Sequence, residues 1–179
     1  MIKSSFFWRL VTSSAIALGI TTTINPPTVA GGNTYYCAQL NGVYKTFVNT
    51  SRGRIALINW VNSYSERWTT RNRCLEVSQR FQRFLENGTL KYIRTGIFNN
   101  TPVICVADYK GGFCPSGQIL VTLPPGTDSE QVLVSMFDTD RRFDSGNVSL
   151  SDQVIFYRDE EIYINVDDFL ETLTIEQEE

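Results

Sequence analysis

The 179-residue chain contains no histidine. That absence removes the Ser-His-Asp and Cys-His arrangements of nucleophilic catalysis, and the commonest metal ligand with them. No Cys-x-x-Cys pair occurs among its four cysteines. Structural zinc sites usually bring at least one such pair, so a four-thiolate metal centre is not expected. No glycine-rich loop opens a helix where a phosphate could sit; Gly111-Gly112 lies between two cysteines instead. There is no internal repeat. The apolar stretch near the start, Leu10 to Ile20, is far shorter than the roughly 20 residues a membrane-spanning helix needs. The expectation is a chain without cofactor, metal or catalytic residue.

What is present begins with an export pattern. Lys3 and Arg9 precede the short apolar stretch, and Thr21 to Thr23, Pro26-Pro27 and Thr28-Val29-Ala30 follow it. This reads as a signal peptide over residues 1–30, cut after Ala30. No cysteine ends the apolar run and no arginine pair precedes it, so the general secretion route is expected. Residues 31–175 then form one domain, and 176–179 an acidic, frayed tail. A composition of 42% hydrophobic residues, with eleven Phe and eight Tyr, is enough to fill its core.

Cys37, Cys74, Cys105 and Cys114 all lie in the exported part. An even count in an oxidising compartment reads as two disulfides, with three possible pairings. Cys105 and Cys114 flank Asp108-Tyr109-Lys110-Gly111-Gly112, a stretch able to turn the chain back. That favours a local Cys105–Cys114 bridge and leaves Cys37–Cys74 by elimination.

The pattern predicts an α+β fold: an antiparallel sheet with one long helix and one or two shorter helices on it. Asn41-Gly42 between Thr34 to Leu40 and Val43 to Asn49 is a strong hairpin signal, and Arg54 to Val61 continues as a third strand. Arg71 to Asn87 reads as the long helix, with Thr69 or Thr70 as its N-cap and Gly88 as its stop. Its apolar positions Cys74, Val77, Phe81, Phe84 and Leu85 recur at helical spacing. A second hairpin turns at Asn99-Asn100, and Ile119 to Leu123 is a further strand. Thr127-x-x-Glu130 reads as a capping box opening a helix at Ser129. Ile155 to Arg158 and Ile162 to Val166 form a late strand pair before a short helix, Asp167 to Leu173.

Charge is uneven along the chain. Residues 31–110 carry eleven Lys/Arg against four Asp/Glu, whereas residues 111–179 carry three against fifteen. Two readings follow: a charged partner, or two halves that face and neutralise each other in one fold. The second is favoured, because no linker separates them. Arg71, Arg73, Arg80 and Arg83, with Arg67 nearby, could form a basic helix face for a membrane surface or an acidic protein partner. Arg73 and Arg80 lie about 20° apart on the helix wheel, and Arg71 and Arg83 are expected to flank them loosely. The alternative is a solvated face steadied by Glu76–Arg80. Nucleic acid is excluded as a partner by export and by the acidic mature chain.

Carboxylates offer the remaining chemistry. Asp138, Asp140, Asp144, Asp159, Glu160 and Glu161 could supply an acid–base pair, although adjacent acids on a turn are usually solvated. Asp138 to Asn147 departs from a calcium loop, with Arg142 at the third ligand position and Phe143 where glycine is required. Tyr35, Tyr36, Phe47, Trp60, Tyr64 and Trp68 could line a groove, but aromatic residues on strands are more often core.

Several strings together resemble the cyanobacterial circadian oscillating polypeptide family. They are Tyr36-Cys37, Thr46-Phe47, Ile58-x-Trp60, Arg73-Cys74-x-Glu76-Val77-Ser78-x-Arg80-Phe81, Leu90-Lys91-Tyr92-Ile93-x-Thr95-Gly96, Pro102-Val103-Ile104-Cys105 and Gly111-Gly112-x-Cys114. The resemblance spans about residues 35 to 140. It implies a cyanobacterial source and an exported protein, with peripheral membrane association as one option, and it supplies no catalytic residues. The expected function is a non-catalytic binding or accessory module. A carboxylate-based hydrolase of extracytoplasmic polysaccharide and a small protein inhibitor are the alternatives.

Overall fold

A computed structural model describes residues 32–61, 68–137 and 154–176. The expected signal segment, Tyr64, Arg67, and the acidic loop with Asp138, Asp140 and Asp144 lie outside them.

Strands β1 (Thr34–Leu40), β2 (Val43–Thr50) and β3 (Gly53–Trp60) form an antiparallel meander. Asn41 and Gly42 both have positive φ, as a two-residue hairpin that follows the sheet's twist requires. The long helix α1 (Thr70–Glu86) follows. Thr69 caps it by accepting from the Asn72 N–H at 3.2 Å, which settles the choice between the two threonines. Gly88, at φ 71, ends it in the left-handed conformation.

Strands β4 (Tyr92–Phe98), β5 (Thr101–Ala107), β6 (Ile119–Thr122), β7 (Ile155–Arg158) and β8 (Glu161–Asn165) build a second antiparallel sheet in the order β6-β5-β4-β8-β7. Helix α2 (Ser129–Met136) starts at Ser129 as expected, but Thr127 is not its cap. Its N-cap is Asp128, whose carboxylate accepts from Gln131 N at 3.0 Å. An anionic cap beside the helix's positive end is the stronger option than the neighbouring Thr127 hydroxyl. Helix α3 (Val166–Thr172) is capped by Asn165 and carries Asp167 and Asp168 in its first turn. The fold is thus α+β, with one long and two shorter helices among the described residues.

One continuous apolar core joins the two sheets and the helices. The face of α1 that points inward holds Cys74, Val77, Ser78, Phe81 and Phe84. Phe81 stacks on Tyr35 of β1, with ring centroids 5.1 Å apart, and Cys74 bonds to Cys37 on the same strand. Ser78 was not legible as core because it is polar. It is buried nonetheless, sharing a 2.9 Å hydrogen bond with Thr46, which accepts from the Trp60 indole N–H at 3.0 Å. Each of these polar groups is satisfied without water. Trp60, Phe47 and Tyr35 are core, as expected of strand aromatics.

The Cys105–Cys114 bridge folds residues 108–113 back over the second sheet. A cation–ring stack holds that loop: Lys110 lies 4.7 Å from the Phe156 centroid, Phe156 stacks on Tyr163, and Arg94 lies 4.5 Å from the Tyr163 centroid. Arg94 also donates to the Gly112 carbonyl at 2.7 Å. Two glycines make the approach possible. A Cβ on Gly96 would stand 2.7 Å from the Cys114 sulfur, and Gly111 sits at φ 77 against the Arg158 guanidinium.

Candidate functional site

Strand β6 is an edge strand, and edge strands present unpaired backbone groups that a fold must cover. Here α1 runs beside it. Arg80 donates from Nη1 to the Leu120 carbonyl at 2.6 Å and forms an ion pair with Glu76 one helical turn earlier. The guanidinium thus ties the helix to the strand and occupies one of the edge carbonyls.

Helix and strand do not close completely along this line. Between them lies a slot of about 380 Å³ walled by Val77, Leu120, Val121, Leu123 and Pro124. Trp68, Arg73, Glu76 and Arg80 stand at its rim. The slot opens into a shallower groove of about 1060 Å³, with which it shares Trp68, Glu76, Arg80 and Thr122. Along the groove, α1 contributes Asn72, Gln79 and Arg83, and Ser116 and Gly117 face them from the turn before β6. Trp68 is 43% exposed and Leu75 37%.

The four helix arginines are therefore divided. Arg73 borders the slot, with its guanidinium 4.7 Å from the Trp60 ring centroid. Arg80 sits between slot and groove but is engaged by Glu76 and Leu120. Arg83 is exposed along the groove, 5.0 Å from the centroid of its neighbour Phe84. Arg71 is exposed and lines neither hollow. Two residues before Arg73, it lies about 160° around the helix, so it does not flank the shared direction as the sequence reading had it.

Other cations of the first half meet carboxylates of the second. Lys45 pairs with Glu176 at 3.8 Å, Arg52 with Glu171 at 3.3 Å, and Arg94 with Glu161 at 4.0 Å. The opposed charges of the two halves thus partly neutralise within one fold. Glu161 is further held by the Thr95 hydroxyl. Asp159 and Glu160 form the tip of the β7–β8 hairpin, and none of these three carboxylates lines the slot or the groove. Among the described residues, no group of three or more acidic or cysteine side chains could hold a metal ion.

Sequence reasoning found the helix side of this site and missed its other wall. Leu120, Leu123 and Pro124 lie some forty residues further on, in a strand whose apolar pattern signals only core. Nothing local marks them as facing a hollow.

All four cysteines are joined, Cys37 to Cys74 and Cys105 to Cys114, with Cα separations of 5.5 and 5.7 Å. Two closed bridges in a domain of this size define an extracytoplasmic type of protein, formed in an oxidising environment. Among the described residues, no helix is long and apolar enough to cross a membrane. The chain belongs to the circadian oscillating protein family: the family model described as Circadian oscillating protein COP23 matches residues 34–171. No curated protein and no solved structure matches it.

Proposed function

We propose that this protein is an exported, non-catalytic binding module whose α1–β6 groove receives an acidic segment of a protein partner. The observation that carries this reading is the placement of Arg73 and Arg83 along one channel, beside the exposed indole of Trp68. The channel's shape favours a chain segment over a membrane surface. Lipid head groups form a broad layer that meets projecting side chains, whereas these arginines border a concavity with the Glu76 carboxylate among them. A segment can follow such a channel, and its carboxylates can approach the guanidinium groups from two sides.

The test is binding of glutamate-containing peptides to the purified protein from low to physiological salt, where charges are screened within about 8 Å. Affinity should fall steeply with salt and vanish in Arg73→Glu with Arg83→Glu, and Arg83→Glu alone, at an exposed position that should leave the melting temperature near the parent's, should already weaken it. Undiminished sedimentation of that double variant with phosphatidylglycerol vesicles, together with no peptide binding by either form, would overturn the proposal. Cleavage after Ala30 and work in a periplasm, thylakoid lumen or external medium belong to the same reading. Intact-mass measurement on protein from the native host tests the cleavage, with Gly31 as the expected first residue.

A further inference from the structure

The slot carries the reading one step further, to the chemistry of the segment that would occupy the site. We infer that the partner segment bears one large apolar side chain between two carboxylates, and that the slot is the pocket for that side chain. This inference rests on the acidic-partner proposal above.

The slot's walls are aliphatic, from Val77 on the helix and Leu120, Val121, Leu123 and Pro124 on the strand and the residues following it. At about 380 Å³ it lies near the small end of ligand pockets and has room for one large anchoring side chain. Its continuity with the groove along α1 argues against a free small molecule. A compact ligand would use the slot alone, whereas a chain can place one side chain in the slot and run on along the groove. Interfaces of this kind concentrate their binding energy in an aromatic or aliphatic anchor inside a desolvated pocket.

The charges set the pattern around the anchor. Arg73 borders the slot and Arg83 borders the groove, ten positions apart on α1. At about 1.5 Å per residue their Cα atoms are separated by roughly 15 Å along the helix axis. An extended segment at about 3.3 Å per residue covers that distance in four or five residues. Between the two arginines stands Glu76, with Arg80 already engaged by it and by the Leu120 carbonyl. Glu76 and Arg80 neutralise each other, so a carboxylate at the middle of the segment would lose hydration without gaining a cation. The site therefore favours acid, apolar anchor, acid in that order over a uniformly acidic chain. The segment lies across the edge of β6 without extending the sheet at Leu120, because Arg80 occupies that carbonyl.

Three capped octapeptide probes test this by fluorescence anisotropy at low salt: Ser-Glu-Ser-Phe-Ser-Ser-Glu-Ser, the same peptide with Phe replaced by Ala, and octaglutamate. The Phe peptide should bind about tenfold or more tighter than the Ala peptide, the difference expected for burying one large apolar side chain. It should also bind tighter than octaglutamate, despite carrying fewer charges. Thr122→Trp places bulk where the slot meets the groove and should erase the preference for Phe over Ala. Equal affinities of the Phe and Ala peptides for the parent protein would overturn the anchor while leaving the acidic-partner reading intact. Tighter binding of octaglutamate than of the Phe peptide would overturn it in the same way. Absence of binding by all three peptides would overturn both.

Discussion

Arg80 donates to the main-chain carbonyl of Leu120, and the same guanidinium closes an ion pair with Glu76 on its own helix. One side chain thus joins the long helix to an edge strand of the other sheet. The contact separates Arg80 from Arg83, which the sequence had grouped as equals. Arg80→Leu should lower stability by about 1–3 kcal/mol in urea unfolding, because the Leu120 carbonyl and the Glu76 carboxylate each lose a charged donor. Arg83→Leu should stay within about 0.5 kcal/mol of the parent. Equal stabilities of the two variants would show that the helix–strand tie contributes nothing.

Tyr35 has a buried hydroxyl with no hydrogen-bond partner among the described residues, while its ring stacks on Phe81. Tyr35→Phe keeps the stack and removes the unsatisfied group, so it should raise stability by about 1 kcal/mol. Burial, assisted by the Asp167 charge, pushes this phenol well above its ordinary value of 10. The folded state then holds the proton that the unfolded state releases, so stability present below pH 10 is lost as pH rises beyond it. Tyr163 is also raised, first by burial, with Arg94 opposing. The variant should therefore blunt the alkaline loss without abolishing it, as thermal unfolding from pH 8 to 11 would show.

Arg94 donates to the Gly112 and Thr95 carbonyls and to the Tyr163 hydroxyl, and it lies beside Glu161. Arg94→Leu should cost about 2–3 kcal/mol, since several acceptors and a carboxylate lose their partner together. Amide hydrogen exchange should quicken from Tyr109 to Phe113 in particular. Arg94→Lys should recover only part of the loss, because an ammonium cannot reproduce the planar fork. Unchanged exchange in that loop would show that the disulfide alone holds it.

Asp159 and Glu160 form a two-residue hairpin turn at φ 51 and 64, with Arg158 paired to Glu161 across it. Glu160 carries a Cβ into the left-handed region that glycine enters freely. Glu160→Gly creates an Asp-Gly turn of the favoured type and should stabilise the fold by about 0.5–1 kcal/mol in denaturant unfolding. A destabilised variant would mean that the Glu160 side chain makes a contact worth more than the strain.

The fold was legible wherever short-range chemistry decides it. Asn41-Gly42 and Asn99-Asn100 announced their hairpins because few residues accept positive φ at both turn positions. The α1 limits followed from a threonine cap, a 3.6-residue apolar period and a glycine stop. The disulfide pairing followed from the nine-residue spacing of Cys105 and Cys114 and the turn between them. Ser78 was illegible because its burial depends on a hydroxyl supplied by Thr46, thirty-two residues away.

The candidate site shows where local reading stops. The sequence by itself determined that a helix with several arginines would exist, because caps and periodicity act within a few residues of each other. It also determined that the cysteines would close and that the classes of chemistry needing histidine were excluded. Only the tertiary structure decided which arginines share a channel, since that depends on where β6 comes to rest against α1. It set Arg80 to holding the edge strand, Arg73 and Arg83 to bordering the slot and the groove, and Arg71 to the far side of the helix. The slot itself is a gap between two elements some forty residues apart in the chain. A gap of that kind arises from how two surfaces fail to mesh, and no stretch of sequence within either one encodes it.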